Sequence, residues 1–429
     1  MERIFHLQEN KTTVGREILA GVTTFLTMAY ILAVNPDLLS KAGMPAGGVF
    51  TATVVASAIA TLVMAFLANL PVALAPGMGL NAFFAFTVVL GMGYSWRLAL
   101  TAVFLEGILF LILSLFNVRE TIIKAIPENL KKAVSVGIGL FIALIGFENA
   151  GVIVGNDSTL VGLGNITSGT ALLALIGLVI TIILFANKVP GAILIGIIAT
   201  TIIGIPLKIT SISSGFSPIS MPDEPLFWQL DFSDIFSFKF FTVFFTFLFV
   251  DIFDTVGTLV GVVTKAGLVK KNGEIPKVKQ ALIADAVGTV AGAVLGTSTV
   301  TSYVESTAGV AAGGRTGLAS VATGLLFLLA LFFSPVFLLI PSAATAPALI
   351  FVGFLMMQAV VNIDFTNPTE GIPAFLTIVM MPFAYSISEG IVYGLLSYII
   401  LKASTGKFKD VSMITWILFI IFIFRFFLK

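Results

Sequence analysis

Residues 298–314 read STVTSYVESTAGVAAGG. Hydroxyl and β-branched residues open the stretch, one carboxylate (Glu305) sits in its middle, and small residues close it. The chain on either side is oily. TSTVTSY (297–303) has the composition of a short extended piece, and ESTAGVAAGG after it can form a half-helix. An extended piece inside a bilayer leaves backbone N–H and C=O groups without partners, which is tolerable only where protein, ligand or water supplies them. The half-helix would point free N–H groups and a partial positive charge at the protein centre. A second stretch, PVALAPGMGLNAFFAF at 71–86, has the same plan: ALAPGMG (73–79) breaks a helix and LNAFFAF (80–86) continues it.

Composition identifies the solvent. Of 429 residues, 58% are hydrophobic and only 10% charged, and the mean hydropathy is +1.10. A soluble domain of this length needs far more charge to cover its surface. Apolar runs near the length of a bilayer span recur at roughly 17–36, 49–68, 97–117, 130–150, 168–187, 190–206, 239–263, 281–296, 316–334, 342–361, 370–385 and 387–402. With the two interrupted stretches the count is 14. The expected fold class is an all-α polytopic membrane protein. A last apolar run, 412–428, is aromatic-rich with Arg425 inside it and reads as interfacial rather than as a fifteenth crossing. The polar N-terminus, MERIFHLQENKTTVGRE, has no signal-peptide pattern.

Several function classes fall away. A net charge of +1 leaves no basic patch for nucleic acid. There is no cysteine, hence no thiol chemistry, and the single histidine, His6, lies outside any apolar run. No metal site and no cofactor are expected, and histidine-based catalysis is nearly excluded.

Basic residues cluster on alternate loops only if both interrupted stretches cross. With Lys11 and Arg16 in the cytoplasm, three further groups fall on the same side: Arg119, Lys124, Lys131 and Lys132; Lys265, Lys270, Lys271, Lys277 and Lys279; and Lys402, Lys407 and Lys409. The 207–238 connection falls outside and is mostly acidic, with Asp223, Glu224, Asp231 and Asp234. Each half then reads as two spans, one broken element and four more. Residues 1–206 form a first repeat, 207–238 an extracellular connection, 239–403 a second repeat and 404–429 an apolar tail. Seven is odd, so the halves are inverted, the plan of secondary transporters whose site lies between paired discontinuous elements.

Acids inside apolar spans are costly and usually functional. Glu305 sits at the break itself. Asp251 and Asp254, in FLFVDIFDTVGTLVGVV, are three apart and share roughly one helix face. Two carboxylates facing one cavity can hold a proton near neutral pH, which marks Asp254, Glu305 and Asp251 as candidates for proton coupling. A hydrogen bond to a neighbouring helix is the plainer reading of Asp251. Glu106, in AVFLEGILF, lies mid-span, where a structural hydrogen bond and a coupling role both fit. Glu148, Asp285 and Glu389 lie close to span ends, where a solvated acid is unremarkable. Asn81, at the other break, can bind a ligand with a mixed hydrogen-bonding edge or cap the half-helix after it. Phe83, Phe84 and Phe86 could stack on a flat ligand, although with 40 phenylalanines in the chain packing is the default.

Four blocks in order, GREILAGVTTFLTMAYILAVNP (15–36), APGMGLNAFFAF (75–86), FVDIFDTVGTLVG (249–261) and TSTVTSYVESTAGVAAGGRTGLASV (297–321), resemble the AzgA-like purine permeases. These are transporters of hypoxanthine, adenine and guanine within the nucleobase–ascorbate (nucleobase:cation symporter) superfamily. The resemblance implies 14 transmembrane segments as two inverted sevens, core and gate domains, and short β-strands in segments 3 and 10 that frame the substrate. It implies that Asp254, matched through FDTVGTL, and Glu305, matched through YVESTAGV, are the key acids and that Asn81 is the matching amide. It implies a transporter and not an enzyme, taking up a purine base with a proton at the plasma membrane. Related folds often form homodimers.

The residues explain such a role. A purine base is planar, uncharged and rich in N–H donors, and a carboxylate can accept two N–H bonds from one edge. Thr301, Ser302 and Ser306, with free backbone groups, can read the remaining atoms; Asp254 can hold the coupling proton or orient the base. The core would then rock or slide against the gate. An anion carrier on the same inverted fold is the main alternative, but its site should be acid-poor. A membrane enzyme would need an acid pair or a metal, and a selective pore would not need paired breaks. The residues do not rank the three purines, and a titratable acid pair suits a proton or sodium.

Overall fold

The computed structural model describes residues 2–116, 127–167, 169–213, 215–268, 277–413, 415, 416, 419 and 423. Most of the apolar run 412–428, with Arg425, lies outside the described residues, as do Arg119, Lys124, Lys270 and Lys271. The chain is mostly helical. Nine helices among the described residues are long and apolar enough to cross a membrane. It divides into two compact units, Met1–Leu115 with Ile145–Phe351, and Phe116–Leu144 with Val352–Lys429.

In the first unit, α1 (Val14–Met28) starts at Thr13, whose hydroxyl accepts from the Arg16 N–H at 3.4 Å. Tyr30 lies in the break before α2 (Ile31–Lys41), and α3 (Ala46–Val63) follows. A π-helical turn, Met64–Ala68, ends at Asn69 in the left-handed region with φ 54°. Asparagine tolerates that backbone. Its amide donates to Phe5 O at 3.1 Å and accepts from Gly317 N at 2.8 Å. Strand β1 (Leu74–Pro76) then leads through Gly77 into α4 (Met78–Ala82), which continues as a π-helix over Phe83–Gly91. Beyond it come α5 (Trp96–Leu115), α6 (Glu128–Asn149), which belongs to the second unit as far as Leu144, a hairpin of β2 (Ile153–Asn156) and β3 (Leu160–Leu163), α7 (Gly169–Ala186) and α8 (Ala192–Gly204). After the long connection come α9 (Phe238–Lys265), α10 (Val278–Leu295), β4 (Val300–Ser302), α11 (Ser306–Ala311), α12 (Gly317–Ala330) and α13 (Ser342–Met357).

Packing reflects a lipid solvent. Helix α7 buries Ala171, Ala174, Gly177 and Thr181 and exposes Val179, Ile182 and Ile183. Water would drive the opposite choice; in lipid, small residues bring backbones together. A Cβ added at Gly177 would lie 2.9 Å from Thr200 Cγ2 on α8. The buried Thr181 and Thr200 hydroxyls donate to carbonyls one turn back, at 2.9 and 2.6 Å.

The two interrupted stretches meet. β1 and β4 pair antiparallel, with Leu74 opposite Ser302, Ala75 opposite Thr301 and Pro76 opposite Val300. Gly77 N–H donates to Thr299 O and Tyr303 N–H to Ala73 O, both at 3.0 Å. An isolated two-stranded ribbon has two open edges, and buried edges need partners. Helix hydroxyls supply them here. Thr61 Oγ1 on α3 accepts from Leu74 N–H at 3.0 Å and donates to Leu74 O at 3.1 Å. Thr289 Oγ1 on α10 donates to Val300 O at 2.9 Å. Ser306 Oγ accepts from Ala73 N–H at 3.0 Å.

In the second unit, α14 (Pro368–Phe383) packs on α15 (Ile387–Ser404). Lys402 Nζ lies 2.7 Å from Glu370 Oε1 and 3.5 Å from Asp410 Oδ2. Phe141 meets Tyr385 edge-on at 5.3 Å between centroids.

Candidate functional site

The ribbon carries the candidate residues. Glu305 follows β4 and immediately precedes α11. Its carboxylate is half-buried, and Oε1 accepts a 2.6 Å hydrogen bond from the Tyr30 hydroxyl at the α1–α2 break. Asp254 on α9 is also half-buried. It interacts electrostatically with Glu305 and with Asp285, and Tyr30 and Tyr303 both feel Glu305 and Asp254. These four side chains therefore form one neighbourhood. Tyr303 donates to Pro76 O at 2.5 Å, tying it to β1.

Gly77 lets the parts approach. A Cβ there would lie 2.6 Å from Thr301 Cγ2, tighter than atoms tolerate, and 3.4 Å from Asp254 Oδ2. The Asp254 carboxylate thus sits over the start of α4.

Asn81 uses its amide across the ribbon. Its carbonyl accepts from the Ser298 hydroxyl, and its NH2 donates to Pro76 O at 3.4 Å. It fastens the half-helix of one interrupted stretch to the strand side of the other. Thr301 Oγ1 lies 2.7 Å from Thr255 Oγ1, so it faces α9. Ser302 Oγ is buried without a hydrogen-bond partner. Phe84 is fully buried, 6.4 Å from the Phe247 ring, while Phe83 is closer to that ring at 4.8 Å.

A second group of acids lies behind the ribbon. Asp251 and Asp285 are fully buried, and Thr255 Oγ1 lies 3.1 Å from Asp251 Oδ1 and 2.7 Å from Asp285 Oδ1. Glu106 on α5 is fully buried, and its Oε2 accepts from Thr299 Oγ1 at 3.0 Å. Asp285 therefore differs from its expected place near a span end. Helix α10 begins at Val278, which sets Asp285 two turns inside the helix. Tyr30 was not among the expected site residues. Within AYILAVNP it reads as one aromatic in an apolar run, and only the fold brings it to Glu305. Among the described residues no group of three or more His, Cys, Asp or Glu could hold a metal ion.

Known proteins agree with this picture at the level of family and fold. Residues 15–393 match the family described as Permease family. The chain is 44% identical to the adenine permease AdeP of Escherichia coli strain K12 over 427 residues, which cover 99% of this chain and 95% of that one. It is 48% identical to the guanine/hypoxanthine permease PbuG of Bacillus subtilis strain 168 over 442 residues, covering all of both. Among solved structures, the transmembrane domain of the cyanobacterial bicarbonate transporter BicA superposes with a TM-score of 0.65 at 15% identity, covering 89% of this chain and 97% of that one. That similarity concerns the fold alone.

Proposed function

The chain belongs to the Permease family, a family of transporters and not enzymes, and we propose that it imports purine nucleobases (hypoxanthine, guanine and adenine) by proton symport. It is a multi-pass membrane protein. Fourteen segments in two inverted sevens, a cytoplasmic N-terminus and alternating access of a core against a gate complete the reading.

One observation carries it: Glu305 lies half-buried on an interrupted element, answered by Tyr30 and close to Asp254. Tyr30 engages Oε1 and the residue's own backbone N–H also bonds the carboxylate; the acceptor capacity that remains suits an N–H from a purine edge, a charge-assisted bond stronger than a neutral one. The unpartnered Ser302 hydroxyl on β4 offers both a donor and an acceptor. Asp254 orients the base or carries a proton. Asn81 serves mainly to hold the ribbon, since both ends of its amide are already engaged. The names of the relatives AdeP and PbuG support the substrate class.

An anion carrier is the weaker reading. Two neighbouring carboxylates repel a bound anion.

Equilibrium binding to the purified protein separates the two. Wild type should bind at least one of adenine, guanine and hypoxanthine, and Glu305→Gln should weaken that binding by more than about tenfold, or ~1.4 kcal/mol. Binding of bicarbonate, with none of any purine, would overturn the proposal.

A further inference from the structure

Asp37 lies on α2, two turns beyond Tyr30. Its Oδ1 accepts from the Ser342 hydroxyl at 2.6 Å and its Oδ2 from the Thr345 hydroxyl at 2.7 Å. Both donors sit in the first turn of α13, whose N-terminus favours a negative charge. The carboxylate is not a backbone cap. The N–H groups of Ala344 and Thr345 go to Pro341 O, at 2.8 and 3.3 Å. Glu17 shows the contrast, since it accepts from three backbone N–H groups at the start of α12. Bonds to backbone fix a helix end. Bonds between side chains can be exchanged without unwinding anything.

The two helices that Asp37 joins have different seats. Helix α2 is tied to the ribbon side: Asn35 Nδ2 donates to Thr53 Oγ1 on α3 at 2.7 Å and to Thr297 Oγ1, just before β4, at 2.9 Å. Helix α13 is seated on α6 and α7. Its Ala346 clusters with Ala150, Ala171 and Ala174, and a Cβ added at Gly146 on α6 would lie 2.8 Å from Ile350 Cγ1.

Each polar partner also has a second place to go. The Thr345 hydroxyl lies 3.1 Å from Ser342 O within its own helix, so it keeps an acceptor when Asp37 leaves. Lys41 stands four residues after Asp37 on α2, where opposite charges can pair along the helix. Among the described residues Lys41 makes no ion pair, and its Nζ lies over the Phe86 ring at 6.0 Å from the centroid.

We propose that Asp37 is a gating residue of transport, bonded to Ser342 and Thr345 while α2 and α13 are together and to Lys41 once they separate. This deepens the alternating-access reading and rests on its topology, which puts the Asp37 end of α2 on the outer side. Asp37 touches no substrate; it sets the balance between the outward-closed and outward-open forms.

Two experiments on the full-length protein test it. The chain contains no cysteine, so Thr345→Cys places a single thiol at a fully buried position. In right-side-out vesicles without purine, a membrane-impermeant maleimide should label it slowly. Adding Asp37→Asn, which keeps the shape but loses the charge and one acceptor, should speed labelling by about tenfold. Ser342→Ala takes its place should Asp37→Asn not fold. In adenine uptake, Thr345→Val removes one bond to a charged acceptor and raises the share of the outward-open form. The KM for external adenine should then fall, by up to about tenfold, and the maximal rate should fall as well because the closed form is reached less often. Thr345→Ser keeps the hydroxyl and should match wild type. Lys41→Met removes the open-state partner and should raise the KM.

Equal labelling rates with and without Asp37→Asn, at unchanged melting temperature, would overturn the gate. Labelling from the inner side alone would overturn its outer placement. A raised KM and a lowered melting temperature in Thr345→Val would reduce Asp37 to a structural contact. Absence of purine uptake by wild type would count against the transport reading, and the labelling rates would still decide whether Asp37 holds α2 to α13.

Discussion

The Tyr30 hydroxyl donates to Glu305 Oε1 at 2.6 Å, across 275 residues of chain. It joins the break between the first two helices to the break after β4. The bond does two things. It partners a carboxylate that would be costly to leave bare, and it holds that carboxylate in one orientation.

Removing that donor should weaken the site without unfolding it. A hydrogen bond to a charged group contributes about 1.5–3 kcal/mol, so Tyr30→Phe should raise the KM for purine uptake by about tenfold or more. Uptake kinetics in proteoliposomes, normalised to protein of unchanged melting temperature, check this. An unchanged KM would mean that Tyr30 does not hold Glu305 in its working position.

Gly77 is predicted to tolerate no side chain. A Cβ at 2.6 Å from Thr301 Cγ2 would push α4 away from β4, and overpacking of this kind costs about 1–3 kcal/mol. Gly77→Ala should lower the melting temperature and abolish most uptake, since Thr301 and Asp254 both border the added methyl. A partner change, Thr301→Ser, removes the clashing methyl and should restore part of the stability. Gly77→Ala alone at wild-type stability would contradict the geometry.

Glu17 is buried for structure. Its carboxylate accepts from the N–H groups of Arg315, Thr316 and Ala319 at 2.8, 3.2 and 3.2 Å, capping the start of α12. Glu17→Ala leaves those donors without a partner, at about 1–3 kcal/mol. The melting temperature should fall, while the KM of the remaining folded protein should stay close to wild type. A selective KM effect would instead assign Glu17 to transport.

In the second unit, Lys402 and Glu370 make a mostly buried pair at 2.7 Å. Breaking one side of such a pair typically costs about 3–5 kcal/mol. Lys402 keeps Asp410 when Glu370 is removed. Lys402→Met should therefore destabilise more than Glu370→Leu, and the double variant should be milder than the sum of the two. Thermal melts of the four proteins give the coupling. Strict additivity would show that the pair contributes nothing.

The sequence made the membrane class and the two interrupted stretches readable, because Gly, Pro and hydroxyl residues stand out against an oily chain. Glu305 was legible for the same reason: a carboxylate at a break has few uses in lipid. Asp254 followed from its spacing to Asp251. Other features depend on contacts between distant segments. Tyr30 carries no local mark of its role, and its partner lies in the other half of the chain. Asp285 was misplaced by a span boundary three residues late, since the helix starts at Val278 and not at 281. Asn81 and Phe84 show the remaining limit. Each has two readings in the sequence, ligand contact or a cap for Asn81 and stacking or packing for Phe84, and only the fold supplies their protein partners, Ser298 and Pro76 for one and Phe247 for the other.

Radiolabelled hypoxanthine uptake into proteoliposomes under an imposed pH gradient tests the central claim most directly. Wild type should accumulate hypoxanthine when the outside is acidic and lose that accumulation when the gradient is collapsed, and Glu305→Gln should accumulate none in either condition. Uptake by wild type that ignores the gradient, or full accumulation by Glu305→Gln, would contradict a proton-coupled purine carrier built around Glu305.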